Sequence, residues 1–239
     1  MPFSYEIPKR TLALKLAQLK GVSQATLESA YIGSWAAALD GAEIPITAFR
    51  DAILSIAKEI AQVIATSSAH PYRSMLYGRS ANIANLGSSP TVDQNGVEFI
   101  GVFDAVRNAS NLHLMTYQPS QIIDDISDAF FADAEIYNYN TAGNYVQFPP
   151  PTTNIFFEGC IWSESAQTAL YEADGDCPLP EACEAMLCDG VMERSAQVGW
   201  TDAAQVMPYY SNLYRQGLAE LASMGQTRMP LSSANPVSG

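Results

Sequence analysis

The sequence predicts an α+β protein: a mainly helical bundle with a small central antiparallel β-sheet and an extended C-terminal tail. Three observations carry this. Apolar residues recur every three to four positions near both ends of the chain, the period of a helix with one buried face. In the middle they alternate, or flank a turn rich in Asn and Gly, as half-buried strands do. The stretch 226–239 has neither pattern and contains Pro230 and Pro236, so it has no regular structure of its own.

Taken in order, 9–20 and 23–39 read as two helices separated by Gly21, with Ser23 as the N-cap of the second. Asp40-Gly41 ends that helix. A third follows Pro45, capped by Thr47, with Asp51 in its first turn and Phe49, Ile53, Ile56, Ile60 and Ile64 on one face. From Ser67 to Gly96 the residues turn to Ser, Gly, Asn and Pro, which reads as an irregular arm or loop.

Residues 97–105 and 111–117 read as paired strands with Val106–Ser110 as the turn, and Ile122 to Phe131 as a short helix capped by Ser120. Ala134–Tyr139 and Tyr145–Phe148 flank Asn140-Thr-Ala-Gly-Asn144, a hairpin. Pro149, Pro150 and Pro151 break the ladder, and Thr153–Trp162 resumes as a strand.

Beyond that, Pro180 reads as the first residue of a helix that runs to about Gln197 and is closed by Gly199. Gly190 inside it costs ~1 kcal/mol relative to Ala, a cost accepted where two helices approach closely. Thr201 reads as the cap of the last helix, which carries Val206, Tyr210, Leu213, Gly217 and Leu221 on one face and is kinked by Pro208. Gly190, Tyr210, Leu213 and Tyr214 are the expected helix-packing residues. The organisation is therefore a helical part (1–66), an arm (67–96), a sheet region (97–163), a C-terminal helical hairpin (164–225) and a tail (226–239).

Composition narrows the function. No stretch approaches the ~20 apolar residues of a membrane span. No signal peptide is expected, since Lys15 interrupts the early apolar run and no A-x-A site follows it. The net charge is −13, and no Lys or Arg occurs between Arg107 and Arg194. A region without cations does not grip phosphate. Cys160, Cys177, Cys183 and Cys188 form no C-x-x-C pair, and His70 and His113 are far from them, so reduced thiols are expected and no metal. The carboxylate pairs Asp124/Asp125 and Asp174/Asp176 read as caps and solvated loops, and no nucleotide, zinc-protease or nucleophile-elbow motif occurs. No catalytic residue and no cofactor is expected.

The order of motifs in the last ninety residues resembles a known family. Tyr145-Val-Gln-Phe-Pro-Pro-Pro151 and Asn154–Trp162 are followed by Cys177-Pro-Leu-Pro180 and by Ala185-Met-Leu-Cys-Asp-Gly-Val-Met-Glu-Arg194. Tyr210, Leu213, Tyr214, Leu218 and Leu221 complete the series, and Phe49–Ile64 with Glu59-Ile60 matches an earlier helix of the pattern. This order is similar to the head-to-tail adaptor (connector) proteins of tailed bacteriophages, of the podophage type. It covers roughly 45–65 and 134–223; residues 66–133 and Pro208 fall outside it.

The resemblance implies a structural virion protein in the neck between capsid and tail. It would form a ring of about twelve copies, closed by head-to-tail contacts. The implied partners are the portal protein, the tail nozzle or other tail proteins, and further copies of itself. Genomic DNA would pass through the channel without specific binding, and no membrane is involved. The tail would dock on the portal through Arg228, Met229, Pro230, Leu231, Pro236 and Val237. Alternatives are a stopper or tail terminator, or a soluble ligand-binding protein or hydrolase with a carboxylate site.

Overall fold

The longest apolar stripe of the sequence becomes the central helix in the computed structural model, which describes residues 1–22, 35–81, 92–108, 112–114, 116–117, 136–140, 145–147 and 155–226. Among these, the architecture is α+β: helices assembled around one long member, with a small antiparallel sheet against its C-terminal end.

The chain opens with a short strand, β1 (Pro2–Ser4), before α1 (Glu6–Leu19). Pro8 lies in the first turn of α1, where its missing N–H has no intrahelical partner to lose. Helix α2 (Trp35–Gly41) ends at the Asp40-Gly41 step; Ser23 lies outside the described residues. Helix α3 (Ile46–Ala65) buries Phe49, Ile53, Ile56, Ile60 and Ile64 along one face. Thr47 is not its cap: the helix begins at Ile46 with Pro45 in extended geometry before it and no side-chain cap bond. Pro45 supplies the N-terminal boundary, because its ring fixes φ and its lost N–H costs nothing there.

The stretch expected to be an irregular arm contributes structure. Arg73–Leu76 form a 3₁₀ turn that leads into β2 (Tyr77–Arg79). Strand β2 pairs with β8 (Ile155–Ile161), which also pairs with β3 (Phe99–Asn108); β3 pairs with β4 (Leu112–Leu114), all antiparallel, in the order β2-β8-β3-β4. The three residues of β2 are too few to show a period of two, and Gly78 removes one of the side chains that would show it. Asp93 organises the return, its Oδ1 accepting from the N–H groups of Asn95 and Val97. Because β3 continues to Asn108, Val106 and Arg107 belong to the strand and not to the turn.

Strand β3 carries an irregularity between Ile100 and Asp104. Gly101 sits there with φ +68, and a Cβ on it would collide with the backbone of Ala65. Only glycine lets the sheet approach the end of α3 this closely. A further sheet joins β5 (Thr116–Tyr117), parallel to β6 (Ile136–Asn140), which is antiparallel to β7 (Tyr145–Gln147). The hairpin β6–β7 is thus formed with the register Asn140↔Tyr145. The expected helix 122–131 lies outside the described residues.

After β8, α4 (Glu164–Glu172) is capped by Ser163, whose Oγ accepts from the N–H of Ala166. Then β9 (Asp176–Pro180) pairs antiparallel with β1, closing the start of the chain against its C-terminal part. Pro180 therefore ends a strand and does not begin a helix; it is extended (φ −63, ψ 148) and hands over to a 3₁₀ turn, Glu181–Cys183. The region 164–225 is accordingly a helix, a strand and a hairpin. That hairpin is α5 (Glu184–Gln197) and α6 (Ala203–Met224). Among the described residues no helix is long and apolar enough to cross a membrane.

Candidate interaction surface on the C-terminal hairpin

The ends of the hairpin helices are written in the sequence. Helix α5 closes on Gly199 at φ +79, with the N–H of Trp200 bonded to the carbonyl of Ser195 at 2.8 Å and that of Gly199 to Ala196 at 3.3 Å. This doubly bonded stop needs a left-handed residue, which glycine supplies without strain. Asp202, not Thr201, caps α6, its Oδ1 accepting from the N–H of Ala204 at 2.9 Å. Thr201 Oγ1 is instead held by Ser195 Oγ at 3.0 Å. Helix α6 runs on through Pro208 to Met224.

Three helices meet at Gly190. A Cβ there would stand 2.6 Å from Ile56 Cγ2 on α3 and 2.8 Å from Tyr214 Cε2 on α6. The absent side chain is what lets α3 and α6 touch across α5. Tyr214 is buried and its hydroxyl donates to Glu59 Oε2 at 2.9 Å, while Arg194 donates to Glu59 Oε1 and to Ser55 Oγ, both at 3.2 Å. Burial, reinforced by Glu59, pushes the Tyr214 hydroxyl well above the ordinary phenol range. Tyr214 is therefore a neutral donor that locks α6 to α3. Tyr210 and Leu213 are half-buried on the same helix, Tyr210 with its ring 5.0 Å from that of exposed Tyr209.

The end of α6 is pinned as well. His70 Nδ1 accepts from the N–H of Tyr72 at 3.2 Å, so its Nε2–H donates to the carbonyl of Leu221 at 2.9 Å. Ser67 Oγ donates to the carbonyl of Gly225 at 2.9 Å. The point from which the tail departs is thus fixed against the loop after α3. The expected docking residues Arg228, Met229, Pro230, Leu231, Pro236 and Val237 all lie outside the described residues.

Among the described residues, positive charge is largely paired within the molecule. Of the 12 lysines and arginines, Lys9, Arg10, Arg50, Lys58, Arg73, Arg79 and Arg194 each sit against a carboxylate, on Asp174, Glu6, Glu172, Glu164, Asp104, Glu158 and Glu59 respectively. Each such pair weakens the attraction of that cation for phosphate. The largest of these effects was not legible from spacing. Lys9, 1 % exposed, projects from α1 to the turn after α4, pairing with Asp174 and donating to the carbonyl of Tyr171 at 2.8 Å. Its ammonium also lies 4.3 Å from the Tyr171 ring centroid, a favourable placement for a cation.

The carboxylates singled out in the sequence are placed apart where they are described. Asp174 is committed to Lys9, Asp176 lies in β9 opposite Ser4, and Asp124 and Asp125 lie outside the described residues. Among the described residues no group of three or more His, Cys, Asp or Glu is placed to hold a metal ion. The four cysteines are free and buried. Burial pushes the thiols of Cys183 up to about 11 and of Cys177 and Cys188 up to about 12, and raises that of Cys160. Because the thiolate is the reactive form, all four are expected to resist a thiol reagent at pH 8 in the native protein and to react together in denaturant. Rapid labelling of any one before unfolding would show that its burial is incomplete.

Comparison with known proteins yields no relative: no family model, curated protein or solved structure matches the chain.

Proposed function

We propose that the chain is a structural subunit of a tailed-phage neck, a head-to-tail adaptor that closes into a ring beneath the portal and extends the DNA channel. The observation that carries this reading is the C-terminal hairpin. The residues that bear the resemblance, Ala185–Arg194 and Tyr210–Leu221, form α5 and α6, wedged on α3 through Gly190 and Tyr214. The hairpin is braced on α3, and hydrogen bonds to Leu221 and Gly225 hold the end of α6, after which residues 226–239 follow in sequence. A tail so placed is suited to engage a partner while the body keeps its own contacts.

The electrostatics support the same reading. A channel subunit must let DNA slide, and trapping is avoided when cations are neutralised internally. Seven of this chain's basic side chains are paired in that way. A ring follows from head-to-tail contacts whose rotation closes.

Deleting Gln226–Gly239 tests the docking role. The shortened chain is expected to keep its circular-dichroism spectrum and unfolding midpoint but to lose co-migration with portal rings in gel filtration. Undiminished attachment would remove the tail from the docking role. Failure of the full chain to bind the portal would overturn the adaptor reading itself.

A further inference from the structure

Helices α5 and α6 leave an apolar groove of about 280 Å³. Gly217 leaves room in it: a Cβ there would stand 3.1 Å from Met186 Cγ across the hairpin. Leu213, Gly217, Leu221 and Met186 line it, and Asp189 and Glu220 add two carboxylates. We propose that this groove is the resting seat of the chain's own tail, with Arg228-Met229-Pro230-Leu231 laid back along it.

Position argues first. Met224, the last residue of α6, lines the groove, and the hydrogen bonds from Ser67 and His70 hold the chain end there. The tail therefore begins at one end of the groove. Reach agrees. Returning from Gln226 to the level of Leu213 means covering ~20 Å of helix at 1.5 Å per residue. An extended chain covers that in about six residues at ~3.3 Å each, ending near Ser232. Arg228 then falls beside Glu220, and Leu231 beside Gly217 and Leu213.

Chemistry agrees as well. The tail offers one cation followed by Met, Pro and Leu; the groove offers apolar walls and two carboxylates. Asp189 is partly withdrawn from water, and burial raises its carboxyl above the usual range although Lys15 offsets part of the rise; a guanidinium nearby would favour its charged form further. The short tether favours the chain's own tail over that of another copy, since it holds the segment at an effective concentration of order millimolar.

The test is disulfide trapping in the isolated full-length chain, independent of any portal assay, so failure of one leaves the other standing. Gln216→Cys, which faces the groove, is combined with Ser232→Cys. The control is Asn212→Cys with Ser232→Cys, beside the level of Leu213 on the exposed side of α6. Peptide mapping identifies the bond. The first pair is expected to close within one chain about tenfold faster than the control, as local capture raises effective concentration. Glu220→Arg should bring it to the control rate, and adding Arg228→Glu should restore it. Equal rates for the two pairs, indifference to Glu220→Arg, or bonds only between chains at micromolar concentration would each overturn the proposal.

Discussion

Replacing Gly190 with valine is expected to destabilise the protein by about 3 kcal/mol, the upper end of what overpacking a core costs. The clash is two-sided. Ile56 on α3 and Tyr214 on α6 both stand within 3 Å of where the new Cβ would be, so α5 has no direction in which to retreat. Tyr214 is also tied to Glu59, and moving its ring breaks that bond. Gly190→Ala separates the terms: helix propensity gains about 1 kcal/mol, so a net loss in Ala measures the contact itself. Denaturant unfolding with unchanged m-value is the readout; a stabilised Gly190→Ala would show that the helices are not in close contact there.

Asp174→Asn is expected to cost about 3 kcal/mol, and Lys9→Met distinctly less. The asymmetry follows from burial. The lysine side chain is 2 % exposed and its partner 50 % exposed, so losing the aspartate strands an ammonium inside the protein, whereas losing the lysine leaves a carboxylate that water can reach. Asn tolerates the left-handed backbone that Asp174 adopts (φ 53), so the substitution removes charge without adding strain. Met retains the volume and contacts of the lysine stem and forfeits mainly the bond to the Tyr171 carbonyl. Chemical unfolding of both variants at neutral pH reads the difference. Equal losses would mean that Lys9 is solvated.

How much was legible in the sequence tracks how local each feature is. The stripe Phe49–Ile64 was readable because five buried residues recur at helical spacing on α3. The hairpin β6–β7 was readable from its turn, and the α5 stop from Gly199. Strands β1 and β9 were not, because each is short, contains proline, and exists only by pairing with the other across most of the chain. Helix α4 carries little signal in the sequence, because its nine residues bury only Gln167 and Tyr171, too few to set up a period. At the caps, two oxygen-bearing candidates stood side by side, and Asp202 took the role while Thr201 bonded Ser195.

At the candidate surface the division is similar. Gly190 was readable as a close approach because glycine in a helix interior is otherwise unfavourable. What it approaches, Ile56 and Tyr214, depends on how three helices converge, which no spacing rule encodes. The hydrogen bonds from His70 and Ser67 to the end of α6 join residues more than 150 positions apart. The Lys9–Asp174 pair is of the same kind, and only the folded chain brings such partners together.

Electron microscopy of portal rings incubated with the full-length protein tests the central claim most directly. The adaptor reading predicts a single added ring of about twelve copies on the tail-facing end of the portal, with an open axial channel continuing the portal's own. Unaltered portal particles, or density elsewhere on the assembly, would contradict it.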